Sequence, residues 1–488
     1  MNNKINIDRN TYILFMASLI SCLIVYGFEL THFTMSIDEE YMNNYGQTIG
    51  LGRWGHAFIR EYILPEPFAP YFTTLLTLVV FSASATVISL IIDATFTTKI
   101  LFSVLYVAIP QFAYQIEFAN QSDTVALGVL ASSVSVYLLK INNYKLNISH
   151  SLFIVALNVF AMSVYQSLST LAISVFLVPL LFDLYNKTVS QKKASLIFLK
   201  FLSLCLLSVI TYLVITKIIQ QTTGYVSGSY LSQNLHWFKE PLIVTVSNVI
   251  VAISAYFRGV SYYGLNVYSL TGISTLIIII NALIKKRIDF LYIIVTIILL
   301  LSPFAMIVAF GGNMPPRTLT SMSVAFSGVI SFSLYVIAKD FISYAVCAVI
   351  LITGSATSSQ LFYSDYMSYQ SDKNLASQII SSIYRKYPEF NQNKNKIYFH
   401  GYYRVNNAWK KNADVFGRSF FVWDGGNNSR IINFMNSNNI ANLTKVAPSN
   451  VDLMKNEAKS IPAWPNPGSI KMVGSNVLIK LGDAPGVD

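Results

Sequence analysis

Charge is what this 488-residue chain has least of: 12% of its residues are Asp, Glu, Lys or Arg, against 53% hydrophobic ones. That balance excludes an ordinary soluble globular protein and marks a membrane protein. Cysteine is nearly absent. Cys22, Cys205 and Cys347 each lie inside an apolar run, where they act as small hydrophobes, so no disulfide framework is implied. Histidine is scarce as well, and His32, His56, His150, His236 and His400 form no cluster within the apolar runs. A membrane acyltransferase with a His-centred site is disfavoured on that ground. There is no internal repeat and no low-complexity tract, which weighs against a transporter or lipid-linked saccharide flippase with its site at the membrane midplane. The net charge of +11 comes from dispersed Lys and Arg beside apolar runs. These residues read as topology determinants, and no nucleic-acid partner is expected.

Long apolar stretches are what the chain has in abundance. Eleven are read as spans: 12–33, 68–92, 100–118, 124–139, 152–165, 169–182, 196–219, 267–284, 288–310, 319–338 and 341–358. Lys4 and Arg9 precede the first, which is too long for a signal-peptide core and lacks a small-x-small cleavage site, so it is read as retained. Residues 152–182 read as a close helical hairpin. The stretch 241–257 is short and interrupted by Ser and Asn. Counting it as a span would place Lys285-Lys286-Arg287 outside, so it is read as interfacial, with Trp237 and Tyr256 as anchors. The N-terminus is then cytoplasmic and the C-terminus periplasmic.

After Ser358 the composition turns polar and Asn-rich. Helical spacing at 374–387 and 429–435, with strand-like runs at 396–402 and 477–481, predicts a small α/β domain. The expected fold is thus an α-helical polytopic membrane protein of about eleven transmembrane helices, residues 1–359, with a periplasmic α/β domain at 360–488. Its loop 34–67 carries short amphipathic helices at the interface.

Four polar constellations fall on the periplasmic side of this topology. The first joins Asp38, Glu39 and Glu40 to Arg53, Trp54, His56 and Arg60; Ser36 and Asp38 are also good caps for a helix starting near Glu39. The second is Gln115, Glu117, Asn120, Gln121 and Asp123, the third Tyr165-Gln166, and the fourth Gly311 to Arg317 with its Pro315-Pro316 pair. Taken singly, each fits a turn or an interface. Together, acids, amides and an Arg on one face of a polytopic protein point to a functional site, because ionisable groups at a membrane are costly.

Ser36-Ile37-Asp38-Glu39-Glu40, Gly52-Arg53-Trp54, Asn120-Gln121-Ser122-Asp123, Tyr165-Gln166 and Pro316-Arg317 occur in this order along the chain. So arranged, with a tail carrying Pro465-x-x-Gly468-Ser469-Ile470 and a final strand, the chain resembles the serotype-converting O-antigen glucosyltransferases of bacteria and their temperate phages. More broadly it resembles the GT-C type of membrane glycosyltransferase that uses polyprenyl-phosphate sugars.

The resemblance implies an inner-membrane enzyme that moves glucose from an undecaprenyl-phosphate-glucose type of donor to a hydroxyl of the lipopolysaccharide O-antigen. It makes Asp38 the expected general base, with Glu39 in support, since a hydroxyl nucleophile must shed its proton as the bond forms. Direct displacement with one base implies inversion. Arg317, then Arg53, would grip the donor phosphate, a task for which His56 is a weaker candidate. Glu40, Trp54, His56, Glu117, Asn120, Gln121, Asp123, Tyr165 and Gln166 are the expected sugar- and acceptor-binding residues. No cofactor is expected; three acids can hold a divalent metal, but a cationic Arg makes one unnecessary.

Overall fold

Apolar runs of about twenty residues satisfy their own backbone hydrogen bonds as helices, the form a bilayer demands of them. The computed structural model describes residues 8–41, 43–64, 66–225, 235–259, 263–264, 267–284, 290–337, 339–411 and 413–484. Lys4 and the Lys285-Lys286-Arg287 group lie outside them. The chain divides into two compact units, Met1–Thr31 with Asn44–Ser359, and His32–Asn43 with Gln360–Asp488.

Among the described residues of the chain, nine helices are long and apolar enough to cross a membrane: Arg9–Thr31, Pro70–Leu90, Phe96–Ile116, Ala119–Ile141, Gln166–Tyr185, Gln191–Thr223, Val267–Ile284, Leu291–Phe310 and Asp340–Lys386. The two other expected spans are helices too, but shorter: Ile148–Val164 and Met322–Ile337. Leu242–Phe257, the stretch read as interfacial, is a third short apolar helix.

In the first unit, α1 (Arg9–Thr31) leads to two short helices, α2 (Tyr45–Gly50) and α3 (Trp54–Tyr62). The interfacial loop therefore has the helical character its aromatic spacing predicts. Then follow α4 (Pro70–Leu90), α5 (Phe96–Ala108), α6 (Ala113–Ile116), α7 (Ala119–Ile141), α8 (Ile148–Val164), α9 (Leu171–Tyr185) and α10 (Gln191–Thr223). Helix α7 packs against α4 and α8, and α4 against α1. Pro110 lacks the N–H to continue α5, so the chain passes through a short 3-10 turn, Pro110–Phe112, into α6. That break brings Gln111 and Gln115 to the unit's polar end. On α10, Leu199, Leu206, Ile210 and Leu213 lie exposed at helical spacing, the outward apolar stripe of a membrane helix.

The second unit holds the end of the Asp340–Lys386 helix. The sequence reading ends a span at 358 and starts a new helix at 374, whereas one 47-residue helix runs through both. No Pro or Gly interrupts residues 355–386, and a change from apolar to polar composition does not by itself end a helix. Strands β1 (Lys396–His400), β2 (Ile470–Val473) and β3 (Asn476–Lys480) form a sheet in the order β1-β3-β2. β1 runs parallel to β3, and β2 antiparallel to it. Period-two alternation sorts the side chains of β1 and β3 between two small cores. Ile397, Phe399, Val477 and Ile479 join Ile379 and Ile383 of the long helix, while Tyr398 and Leu478 meet Met454 and Ala458. The last two belong to the helix Pro448–Ala458, which the sequence reading lacks; Asn428–Ser437 is the helix expected at 429–435.

Candidate functional site

In the first unit the Gly52-Arg53-Trp54-Gly55 motif is a place of close approach. Gly52 has φ +82°, and a Cβ there would lie 2.7 Å from the Tyr212 hydroxyl, which donates to the Gly52 carbonyl at 3.0 Å. A Cβ on Gly55 would lie 2.0 Å from Ser163 Oγ, so glycine lets α3 press against α8. Trp54 Nε1 donates to Thr216 Oγ1 (3.1 Å), and Gln166 Nε2 donates to the Tyr212 hydroxyl (3.1 Å). From this fixed turn the Arg53 guanidinium lies 4.7 Å over the Tyr165 ring and donates to Gln121 Oε1 at 3.0 Å. Its Nε is buried with no hydrogen-bond partner among the described residues.

The other side of α3 is tied to α7. Arg60 grips buried Asp123 with two bonds, 2.6 and 3.2 Å, and donates to the Asn120 carbonyl. His56 pairs with Thr124 Oγ1 at 2.8 Å. Burial, then the nearby Arg60 and Arg53, push the His56 imidazole down to about 3. It is neutral at neutral pH, so it hydrogen-bonds but supplies no cation to a phosphate.

Arg317 occupies a 3-10 turn, Pro316–Thr318. Gln111 Nε2 donates to the Pro316 carbonyl (2.6 Å) and Gln115 Nε2 to the Arg317 carbonyl. The Arg317 guanidinium lies 5.2 Å over the Phe118 ring. Phe118 is the residue before α7, and Gln121, Arg53's partner, is in its first turn. Two guanidinium groups thus border one helix N-terminus, with buried Glu117 next to Phe118. Backbone N–H groups and the helix dipole make such an end electropositive.

The acids lie in the second unit. Residues 36–39 form a turn closed by Glu39 N–H to the Ser36 carbonyl (3.2 Å), and Glu39 Oε2 accepts from Ser36 N–H at 2.8 Å. No helix starts at Glu39; the next begins at Tyr45. Asp38 stands third in this turn with φ +75°, a left-handed conformation that Asp tolerates better than most residues. The turn separates the three side chains. Glu39 is buried on its own backbone, Glu40 has a fully buried side chain, and Asp38 keeps a side chain 46% exposed.

Arg430, which the sequence reading missed, organises this cluster. Its Nη1 donates to Glu40 Oε1 (2.5 Å) and Asp38 Oδ1 (3.1 Å), and its Nε to Asp424 Oδ2 (2.5 Å). Burial raises the Glu40 carboxyl to about 7, against the lowering effect of Arg430. Nothing in the sequence marks a contact across 390 positions. Gln111 was legible in retrospect, as an amide in an apolar run four residues before Gln115.

The fold and its polar ends define a class: a polytopic helical membrane protein that carries a separate α/β unit. A family model described as Glucosyl transferase GtrII matches residues 27–334. The chain belongs to that family, the serotype-converting O-antigen glucosyltransferases whose motifs it resembles, and is a glucosyltransferase. The match takes in the acidic stretch, the Gly52 motif, the start of α7 and Pro316-Arg317, and ends before residues 360–488. No curated protein and no solved structure matches the chain. The transporter and acyltransferase alternatives give way to the family match.

Proposed function

We propose that the protein transfers glucose from a polyprenyl-phosphate donor to a sugar hydroxyl of the lipopolysaccharide O-antigen, at the periplasmic face of the bacterial inner membrane. The family match carries the glucosyl transfer, and the exposure of Asp38 alone among the three acids carries the assignment of the base. In this scheme the acceptor hydroxyl gives its proton to the Asp38 carboxylate as its oxygen bonds to the anomeric carbon. The bond from that carbon to the phosphate oxygen breaks, its electron pair leaves with the lipid phosphate, and the configuration inverts.

Arg317 and Arg53 meet the charge that builds on the leaving phosphate, so no cofactor is invoked. Their place at the N-terminus of α7 supports this role. The Tyr165 ring, Gln121 and Gln166 suit sugar contacts, as do the buried amide oxygens of Gln111 and Gln115, which have no hydrogen-bond partner among the described residues. Trp54, Asn120, Asp123 and Glu117 frame the same end of the unit. Glu39 and Glu40 support Asp38.

The test is an assay of purified protein with polyprenyl-phosphate-glucose and O-antigen acceptor. Asp38→Asn keeps size and polarity but removes basicity, and is expected to lower turnover roughly 10²- to 10⁴-fold with donor binding intact. If Glu39→Gln or Glu40→Gln is inactive and Asp38→Asn is not, the base is one of those residues. Wild-type transfer by all three amide variants would sink the mechanism.

A further inference from the structure

We propose that Arg430 is the positioning residue of the acidic motif, and that residues 360–488, beyond the family match, serve to hold Asp38 in place through this guanidinium. The inference rests on Asp38 being the base. Arg430 lies in the first turn of Asn428–Ser437, where the Asn427 side chain accepts its backbone N–H at 3.2 Å. The same helix holds the motif at two further points. Ser437 Oγ donates to the Glu40 carbonyl at 3.1 Å, and Asn438 Nδ2, just past the helix end, meets Met35 Sδ at 3.6 Å. Residues 430 and 437 lie two turns apart on one face, with Asn438 following at the C-cap, so the stretch is met from both ends of the helix.

The geometry of the guanidinium separates this role from a simple brace. A brace needs only the buried partner, Glu40. Here the same Nη1 also reaches Asp38, the exposed acid, while Nε is fixed by Asp424, itself in a left-handed conformation (φ +51°). A planar guanidinium held at both Nη1 and Nε restricts the orientation of what it holds, and a lysine ammonium has no such rigid plane. One cation faces three carboxylates, which favours a proton shared within the group; burial of Glu40 makes it the acid that keeps one near neutral pH. Asp38 then has the exposure to meet an acceptor and a guanidinium that fixes its carboxylate in place. The ionisable groups facing Arg430 are Asp38, Glu40, Asp424 and the Tyr41 ring, 5.9 Å away. Glu39 faces Tyr369 of the long helix.

The experiment compares Arg430→Gln and Arg430→Lys in the full-length enzyme, with Asp38→Asn in parallel. Arg430→Gln is expected to lower kcat roughly tenfold or more, the effect of losing a charge-assisted bond, with donor KM unchanged. The acid limb of its pH–rate profile should move to higher pH, because a lost cation favours the protonated acids. Arg430→Lys should recover part of kcat and hold the limb near its wild-type position. Wild-type kcat in Arg430→Gln overturns the proposal, and so does a loss with an unmoved limb that Lys does not relieve. Should Arg430→Gln fail to accumulate, Asp424→Gly decides: it removes the acceptor that fixes Nε, at an exposed left-handed position that glycine tolerates, and a lower kcat at normal yield supports the proposal while wild-type kcat rejects it. An active Asp38→Asn counts against the base itself; an inactive one beside an unaffected Arg430→Gln counts against Arg430 alone.

Discussion

Glu40 shows how three adjacent acids acquire different chemistry from one turn. Its side chain is fully buried, one oxygen faces Arg430, and the other has no hydrogen-bond partner among the described residues. Burial is the larger effect, so its carboxyl titrates near 7 instead of its ordinary 4.5. An unfolded chain loses this proton near 4.5, whereas the folded protein keeps it until about 7. Between those values the folded state binds more protons, so stability falls as pH rises and levels off above about 7. Glu40→Gln removes that dependence. Melting midpoints of the purified protein at pH 5 and pH 8 should therefore differ less in the variant than in the wild type. An equal difference in both would show that Glu40 contributes nothing to it.

At the scale of elements, the Pro316–Thr318 turn places Arg317 because two amides on a broken helix hold its carbonyls. Replacing Gln111 and Gln115 together by Leu removes both donors from a buried site, where each lost bond costs about 1–3 kcal/mol. Donor KM should rise in that double variant at normal expression. Arg317→Ala should lose roughly ten- to a hundredfold in kcat/KM, and Arg317→Lys less, since it keeps the charge without the fork. Unchanged donor affinity in both the double variant and Arg317→Ala would remove this turn from the donor site.

What was legible at this scale follows the range of the forces. Apolar runs and local spacing located the long helices, and aromatic spacing located α2 and α3. Alternation of side chains marked β1 and β3, but β2 (Ile-Lys-Met-Val) is too short for a clear alternating signal. The change of composition near residue 358 suggests a boundary in the Asp340–Lys386 helix where the backbone has none. In the site, the clustering of Arg53, Gln121, Tyr165 and Gln166 with α7 was foreshadowed by their type and order. Arg430 was not, because a pair that closes only on folding leaves no local pattern.

At the scale of the whole molecule, the acidic motif belongs to the same compact unit as residues 360–488, although more than three hundred residues separate them. If the motif acts on periplasmic acceptors, that unit must lie in the periplasm, and the topology has to deliver it there. The positive-inside rule places the N-terminus, Lys140, the Lys187/Lys192/Lys193 group and Lys285-Lys286-Arg287 in the cytoplasm. These assignments agree only if Leu242–Phe257, a 16-residue helix, does not cross the bilayer. A helix of that length rises about 24 Å, short of a hydrocarbon core of about 30 Å. Met322–Ile337 is as short and Ile148–Val164 one residue longer, and both are counted as crossing, so length alone does not decide and the expectation rests on the basic cluster after Val267–Ile284. Reporter fusions after Lys286 and after Asn393 should report cytoplasm and periplasm respectively, and a fusion after Lys192 should agree with the first. If the fusion after Lys286 is periplasmic while that after Lys192 is cytoplasmic, Leu242–Phe257 crosses. Residues 360–488 would then face the cytoplasm while the acidic motif, one span from a cytoplasmic N-terminus, stays periplasmic, and the proposed role of Arg430 would fail.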